Sequence, residues 1–466
     1  MVGNASRGGT AGWNTAVTPL HYLFTQCRAV ALYLRLVLWP QSLVFDYGTA
    51  TVTHLSEVFG PALLVLALLG LTLIALRRRP ALGLLAAYFF LLLAPSSSVV
   101  PIATQTIAEH RMYLPLAVIA TFAVIGLHGL IGRGAFPVLV ALSVSFGFVT
   151  ARRNRDYRDE LTLWSDTIAK VPANARAHIN LSTLHLTAGD LAGALVHAEA
   201  AIRLDSRDPT ALDNYAIVLA QSGHVPEALK QFETALRFAP ANADAHYNFA
   251  NTLAQSGRTG DALAHYETAL LLRPSSAEFH SNFANALLAA GRPEDALAHY
   301  RTAVQLAPAK ADFHVNLGNA LAWSGHLPEA VGDFELALRL DPNSARAHNN
   351  LGNAFATLNR LPEALAHYEA AVRLAPDSSE YQDNLGSTLA QNGRVADALP
   401  HFESAVRLQP TLVQARQNLA TAYVYLGRIA DAKFQFGEAL RLKPDFTLAR
   451  EKLQLLQLLP EPPHRN

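Results

Sequence analysis

Prolines stand at positions 172, 240, 274, 308, 342, 376, 410 and 444, and each interval is 34 residues or twice that, with Ser206 at the one step that lacks a proline. A fixed period of this length excludes an ordinary globular core. It requires one supersecondary unit, repeated and stacked so that each copy buries its apolar face on the next. Starting each unit three residues after the proline gives eight: 175–208, 209–242, 243–276, 277–310, 311–344, 345–378, 379–412 and 413–446. The small residues hold this register. Position 20 of every unit is alanine (Ala194, Ala228, Ala262, Ala296, Ala330, Ala364, Ala398, Ala432), and so is position 27 (Ala201, Ala235, Ala269, Ala303, Ala337, Ala371, Ala405, Ala439). Alanine lets two helices approach closely. Position 24 between them is aromatic in seven units, from Phe232 to Phe436, and such a ring fills the space that alanine leaves. Position 15 is glycine except for Asn359, as expected where a helix ends on a left-handed residue.

A helix–turn–helix unit of 34 residues with a terminal proline resembles the tetratricopeptide repeat. The resemblance implies an all-α solenoid, a right-handed superhelix, with the first helix of each unit lining its concave side. Residues 156–170 resemble a lone second helix ahead of the first unit. Residues 447–459 read as a solvating helix over the last one, and the tail to residue 466 should fray. Position 6 is asparagine in all eight units: Asn180, Asn214, Asn248, Asn282, Asn316, Asn350, Asn384 and Asn418. Asn251, Asn285, Asn319 and Asn353 add a second column at position 9. In tetratricopeptide geometry positions 2, 5, 6 and 9 face the groove. An amide offers two donors and an acceptor, so such a column can hold the backbone of an extended peptide without reading its side chains. The pattern is similar to the asparagine ladder of the O-linked N-acetylglucosamine transferase superhelix. The same amides can instead bond the adjoining repeat, and sequence alone leaves both readings open. Asp244, Glu278, Asp312 and Glu380 at position 2, with Asp213 and Asp383 at position 5, outnumber Arg176 and Arg346. This face should therefore favour a neutral or basic segment.

Eighteen histidines invite a metal reading. Ten of them recur at positions 4 and 23, one or two in each of six repeats, and do not converge as zinc requires. No metal and no cofactor is expected. The single cysteine, Cys27, permits no intrachain disulfide. Lys plus Arg and Asp plus Glu both number 37, so no net charge draws the chain to nucleic acid. No catalytic motif stands in the repeats.

Residues 1–151 have a different composition. Apolar segments at about 58–76, 81–94, 112–131 and 135–150 predict a membrane domain of about four spans over 58–151, since about 20 apolar residues cross a bilayer. Residues 1–57 read as a loop and an interfacial or protein-packed helix, because Arg28 and Arg35 interrupt an apolar run that Pro40 ends. Residues 152–174 read as linker and cap, followed by repeats over 175–446 and a terminal cap over 447–466. By the positive-inside rule Arg77, Arg78 and Arg79 lie on the cytoplasmic side, while Arg152, Arg153, Arg155 and Arg158 argue for the opposite orientation.

The stretch TQCRAVALYLRLVLWPQSLVFDYG, followed by an apolar span and SSSVVPIATQTIAEHRMYLP, resembles the transmembrane-and-tetratricopeptide O-mannosyltransferase family. Ala108, Glu109, Tyr113, Leu114 and Pro115 match its A-E-R-x-x-Y-L-P stretch, with His110 in place of the arginine and Arg111 following. The resemblance implies a multi-pass protein of the bacterial inner membrane with its repeats on the periplasmic side, and hence Arg77–Arg79 inside. It marks Glu109 and Arg111 as remnants of a membrane site for a lipid-linked sugar. The family's catalytic acid lies in a first external loop that finds no counterpart before residue 20, so no catalytic residue is assigned. The expected function is a membrane-anchored scaffold that binds a protein or extended peptide through the concave face. The alternative is the C-terminal portion of a membrane protein O-glycosyltransferase whose repeats present the acceptor protein.

Overall fold

A computed structural model of the chain describes residues 19–38, 44, 46, 55–93, 113–156 and 159–457. Among the described residues every regular element is a helix. Compactness divides the chain into Met1–Asn248 and Phe249–Asn466, with the division inside the first helix of the third repeat.

The first unit begins with five helices: α1 Pro19–Leu38, α2 Phe59–Arg78, α3 Pro80–Leu93, α4 Tyr113–Ile131 and α5 Ala135–Asp156. Each apolar segment of the sequence is therefore helical. Helix α1 packs through Ala29, Val30 and Tyr33 onto Phe89 and Leu93 of α3 and Val118 of α4. Its Arg28 is turned away from this cluster and meets Glu57 at 3.0 Å, with both side chains about half exposed. Two stretches, Phe59–Arg78 and Pro115–Ser145, are long and apolar enough to cross a membrane by length and composition. In the most apolar 18 residues of each, only 6% and 11% are buried, so their apolar side chains point outward. At 1.5 Å per residue the 14 residues of α3 span about 21 Å, which is less than the ~30 Å hydrocarbon core. Helix α5 does not stop at the arginine-rich run; its backbone stays helical to Asp156. The next helix, α6 Glu160–Lys170, starts after Asp159, whose carboxylate caps it by accepting from the Thr162 N–H at 2.7 Å. Residues Glu109 and Arg111 lie outside the described residues, as do the first 18 residues, Arg158 and the tail.

The repeats occupy residues 175–446 as sixteen helices. In the sixth repeat these are Ala345–Thr357 and Leu361–Leu374. Asn174, Asp208, Ser276, Ser344 and Ser378 cap first helices by accepting backbone N–H bonds. The turn to the second helix needs a left-handed residue, and Asn359 takes it at φ 57° where the other repeats use glycine. All sixteen alanines at positions 20 and 27 have zero exposure, and the rings at position 24 are at most 3% exposed. Helices at that separation leave no room for a larger side chain at either alanine. A helix over Thr447–Gln457 closes the series.

Candidate functional site

The face that carries the asparagines is hydrogen bonded from repeat to repeat. In each case the position-6 Nδ2 donates backwards, to position 5 or 9 of the preceding repeat. In the first unit Asn214 donates to Thr183 Oγ1 at 3.0 Å and Asn248 to Asp213 Oδ2 at 3.0 Å. In the second, Asn282 reaches Asn251 Oδ1 at 3.3 Å, Asn316 reaches Ser281 Oγ at 3.1 Å and Asn350 reaches Asn319 Oδ1 at 2.7 Å. Asn384 reaches Asn349 Oδ1 at 3.0 Å, and Asn418 reaches both Asp383 oxygens at 3.0 Å. Asn180 has no repeat before it. The carboxylate partners fix the orientation of Asn248 and Asn418, because an ionised carboxylate only accepts.

The position-9 amides are held from the other side. Tyr266, Tyr300 and Tyr368 at position 24 donate their hydroxyls to Asn251, Asn285 and Asn353 at 2.5 to 2.6 Å. A ring buried between the helices thus spends its one polar atom on the groove wall.

Two of the groove acids expected to supply charge are withdrawn from it. Asp213 has a buried Oδ1 without a protein partner, and burial pushes its carboxyl up to about 7, against the opposing bond from Asn248. Burial likewise raises the Asp383 carboxyl, again opposed by its bond from Asn418. The exposed acids are Glu278, Asp312 and Glu380. Arg346 lies on Asp312 at 2.7 Å and on Asn316 Oδ1 at 3.2 Å.

The histidines serve the joints. Position 4 bonds the carbonyl of the proline six residues earlier: His178 to Pro172, His246 to Pro240, His280 to Pro274, His314 to Pro308 and His348 to Pro342, at 3.0 to 3.3 Å. Gln382 and Arg416 make the same bond in the last two repeats. A carbonyl accepts, so each of these histidines carries its proton on Nε2 when neutral, which leaves Nδ1 as an acceptor. That Nδ1 faces position 23 of the second helix. His178 meets His197 at 3.1 Å, His280 meets His299 at 2.8 Å and His348 meets His367 at 3.0 Å, each accepting from its partner imidazole. The fifth repeat differs: His314 Nδ1 lies 2.9 Å from Asp333 Oδ1, itself an acceptor, so that contact needs a proton between the two. Burial, and then the partner imidazole, lowers the pKa of His197, His299 and His367. Among the described residues no three or more His, Cys, Asp or Glu side chains come together as a metal site.

One contact of this face had no sequence signal. Buried Asp46 receives Arg176, at position 2 of the first repeat, at 3.0 Å, and its carbonyl accepts from Asn174 Nδ2 at 2.8 Å. The N-terminal portion thus touches the start of the repeats across more than a hundred residues of chain.

Paired helices with a left-handed turn, tight alanine contacts and a face of linked amides define a helical-repeat protein of the solenoid class. The family follows from comparison with known sequences. A tetratricopeptide repeat model matches residues 148–209, 216–278, 247–311, 281–345, 315–379 and 350–413, and a second one matches 389–456. The chain belongs to the tetratricopeptide repeat family. No curated protein sequence matches it, and both matching family models describe this repeat. Similar solved structures include YrrB, described as a tetratricopeptide protein with an unusual peptide-binding site. It is 27% identical over 41% of this chain and 97% of its own, with a TM-score of 0.34. PilF of Pseudomonas aeruginosa is 20% identical over 46% and 96%, with a TM-score of 0.42. The Cut9–Hcn1 assembly of the anaphase-promoting complex is 16% identical over 60% and 58%, with a TM-score of 0.47.

Proposed function

We propose that this protein is a membrane-anchored scaffold that holds an extended segment of another protein on the first-helix face of its repeats. The observation that carries the reading is the set of amide atoms left open after the inter-repeat bonds are made. Asn350 and Asn384 keep their Oδ1, and Asn319 and Asn353 keep their Nδ2, each without a protein partner. Acceptors and donors therefore alternate over three adjacent repeats, as a peptide backbone needs. From Asn214 to Asn418 each position-6 Nδ2 already bonds the preceding repeat, which narrows the expected peptide ladder to these rungs. Anchoring is supported by the outward-facing apolar side chains of Phe59–Arg78 and Pro115–Ser145. We place the repeats on the side opposite Arg77–Arg79. This topology requires α3 to cross despite its length; if α3 only dips in, the repeats fall on the arginine side. Protease access to the repeats in right-side-out and inverted vesicles distinguishes the two.

The scaffold reading is tested by a photo-crosslinking residue placed in the full chain. At Trp323 or Tyr425, on the first-helix face, it should capture a protein partner. At Leu271 or Phe434, exposed on second helices, it should not. Crosslinks confined to the second helices would overturn the reading. The enzymatic alternative uses the same face to present an acceptor, and a protein glycosylated only when that face is intact would favour it.

A further inference from the structure

We infer that the segment bound by the Phe249–Asn466 unit is basic, with one Lys or Arg cation seated on the ring of Trp323; this rests on the first-helix face being the binding face. Trp323 lies seven residues after Asn316 and four after Asn319 on one helix, so its side chain falls on the asparagine stripe. It is 73% exposed. A tryptophan that buries so little of itself contributes nothing to the core, and its face is the best of the aromatic surfaces for a cation. Tyr425 repeats the arrangement seven residues after Asn418 and is 76% exposed.

The charges around the stripe agree. Glu278, Asp312 and Glu380 are exposed at position 2. The one cation among the position-2 residues here, Arg346, is already shared between Asp312 and Asn316. Glu380 accepts only a neutral amide bond, from Asn349 at 3.2 Å. Glu278 accepts only a long bond from the Ser276 hydroxyl at 3.4 Å. Among the described residues neither carboxylate is paired with a cation, so both can receive an incoming one. An acidic segment would meet the like charges of Glu278 and Glu380 and find Arg346 already engaged by Asp312. A neutral segment would use the open amides but leave the carboxylates and the exposed rings without partners.

The test uses full-length protein and an array of random dodecapeptides. Captured peptides should be enriched in Lys and Arg, and their binding should weaken with salt. Glu278→Gln with Glu380→Gln should weaken capture of basic peptides by about tenfold, as should Trp323→Ala, while Trp323→Phe retains part of it. Exposed positions such as these leave the fold intact, and unchanged far-ultraviolet circular dichroism checks that. Capture on this face with no basic preference, or with none of these substitutions weakening it, overturns the inference and leaves the scaffold reading standing. Capture that is also insensitive to Asn350→Ala with Asn384→Ala removes the binding face itself.

Discussion

Asp213→Asn should stabilise the first unit, and by an amount that grows with pH. The carboxyl is displaced from 3.8 to about 7, mainly by burial. A carboxyl whose pKa is raised on folding favours the fold in its protonated form, so stability is full below pH 3.8 and is lost as pH rises through 7. At about 1.36 kcal/mol per pH unit, the displacement costs about 4 kcal/mol at pH 8. Asparagine removes that charge and still accepts from Asn248 Nδ2, as Asn349 accepts from Asn384 at the same position. Its own amide nitrogen would take the place of the unpaired Oδ1, and an unsatisfied buried donor costs about 1–3 kcal/mol. The net gain at pH 8 is then about 1–3 kcal/mol, and at pH 4 the sign reverses. Urea unfolding of wild type and variant from pH 4 to 8, read as the difference between them, isolates this group, because the histidines titrate alike in both. A difference that stays flat across the range, or a variant less stable at pH 8, would refute the assignment of a buried, strained carboxyl.

Three further outcomes can be checked. Asn418→Ala removes the donor on Asp383 and should cost about 1–3 kcal/mol at pH 7; in an Asp383→Asn background the cost should shrink, and a double-mutant cycle with no coupling would show the pair to be idle. Burial lowers the pKa of His197, His299, His348, His367 and His401, so the contribution of these five is complete above about pH 6.5 and is lost as pH falls below it. His299→Gln with His367→Gln should therefore flatten the fall in melting midpoint between pH 7 and 5, and an unchanged fall would mean that other groups drive it. Ala330→Leu, at a residue with zero exposure, should cost about 1–3 kcal/mol by overpacking, and thermal melts that coincide with wild type would contradict the tight helix contact.

The repeat architecture was legible because its determinants act within one unit. An alanine that must let a helix approach leaves the same letter at the same step eight times, and a residue that must turn left-handed is glycine seven times and Asn359 once. The bonds between side chains were harder to read, since they depend on how helices cross. Two signals were nonetheless present in the sequence. Positions 4 and 23, nineteen residues apart, pair as His–His, His–Asp, Gln–His and Arg–Gln, with Leu212 and Gln231 of the second repeat as the exception. Tyrosine at position 24 coincides with asparagine at position 9 in Tyr266, Tyr300 and Tyr368. The Asp46–Arg176 pair left no trace, because a single long-range contact has no period. The withdrawal of Asp213 and Asp383 was hidden for the same kind of reason: both lie on the expected face, but burial by neighbouring repeats is invisible in one helix's pattern.

The constancy of the position-6 asparagine now has a physical cause that is independent of any ligand. Its partners at positions 5 and 9 are threonine, serine, aspartate or asparagine, and all of them present an oxygen. The acceptor can vary; the donor cannot. A carboxylate at position 6 would repel Asp213 and Asp383, a hydroxyl is too short to span the gap, and a cation would bury an unmatched charge beside the neutral partners. An amide N–H is the one group that satisfies every acceptor in the series. It follows that the invariant column carries the stacking of the repeats, and that specificity for a partner must reside where the repeats differ: the open amides of the fifth to seventh repeats, the exposed rings of Trp323 and Tyr425, and the unpaired carboxylates of Glu278 and Glu380. Substitutions in the column, and at the position-9 amides that bond it, should therefore change stability as well as binding, while substitutions at Trp323, Tyr425, Glu278 and Glu380 should change binding alone.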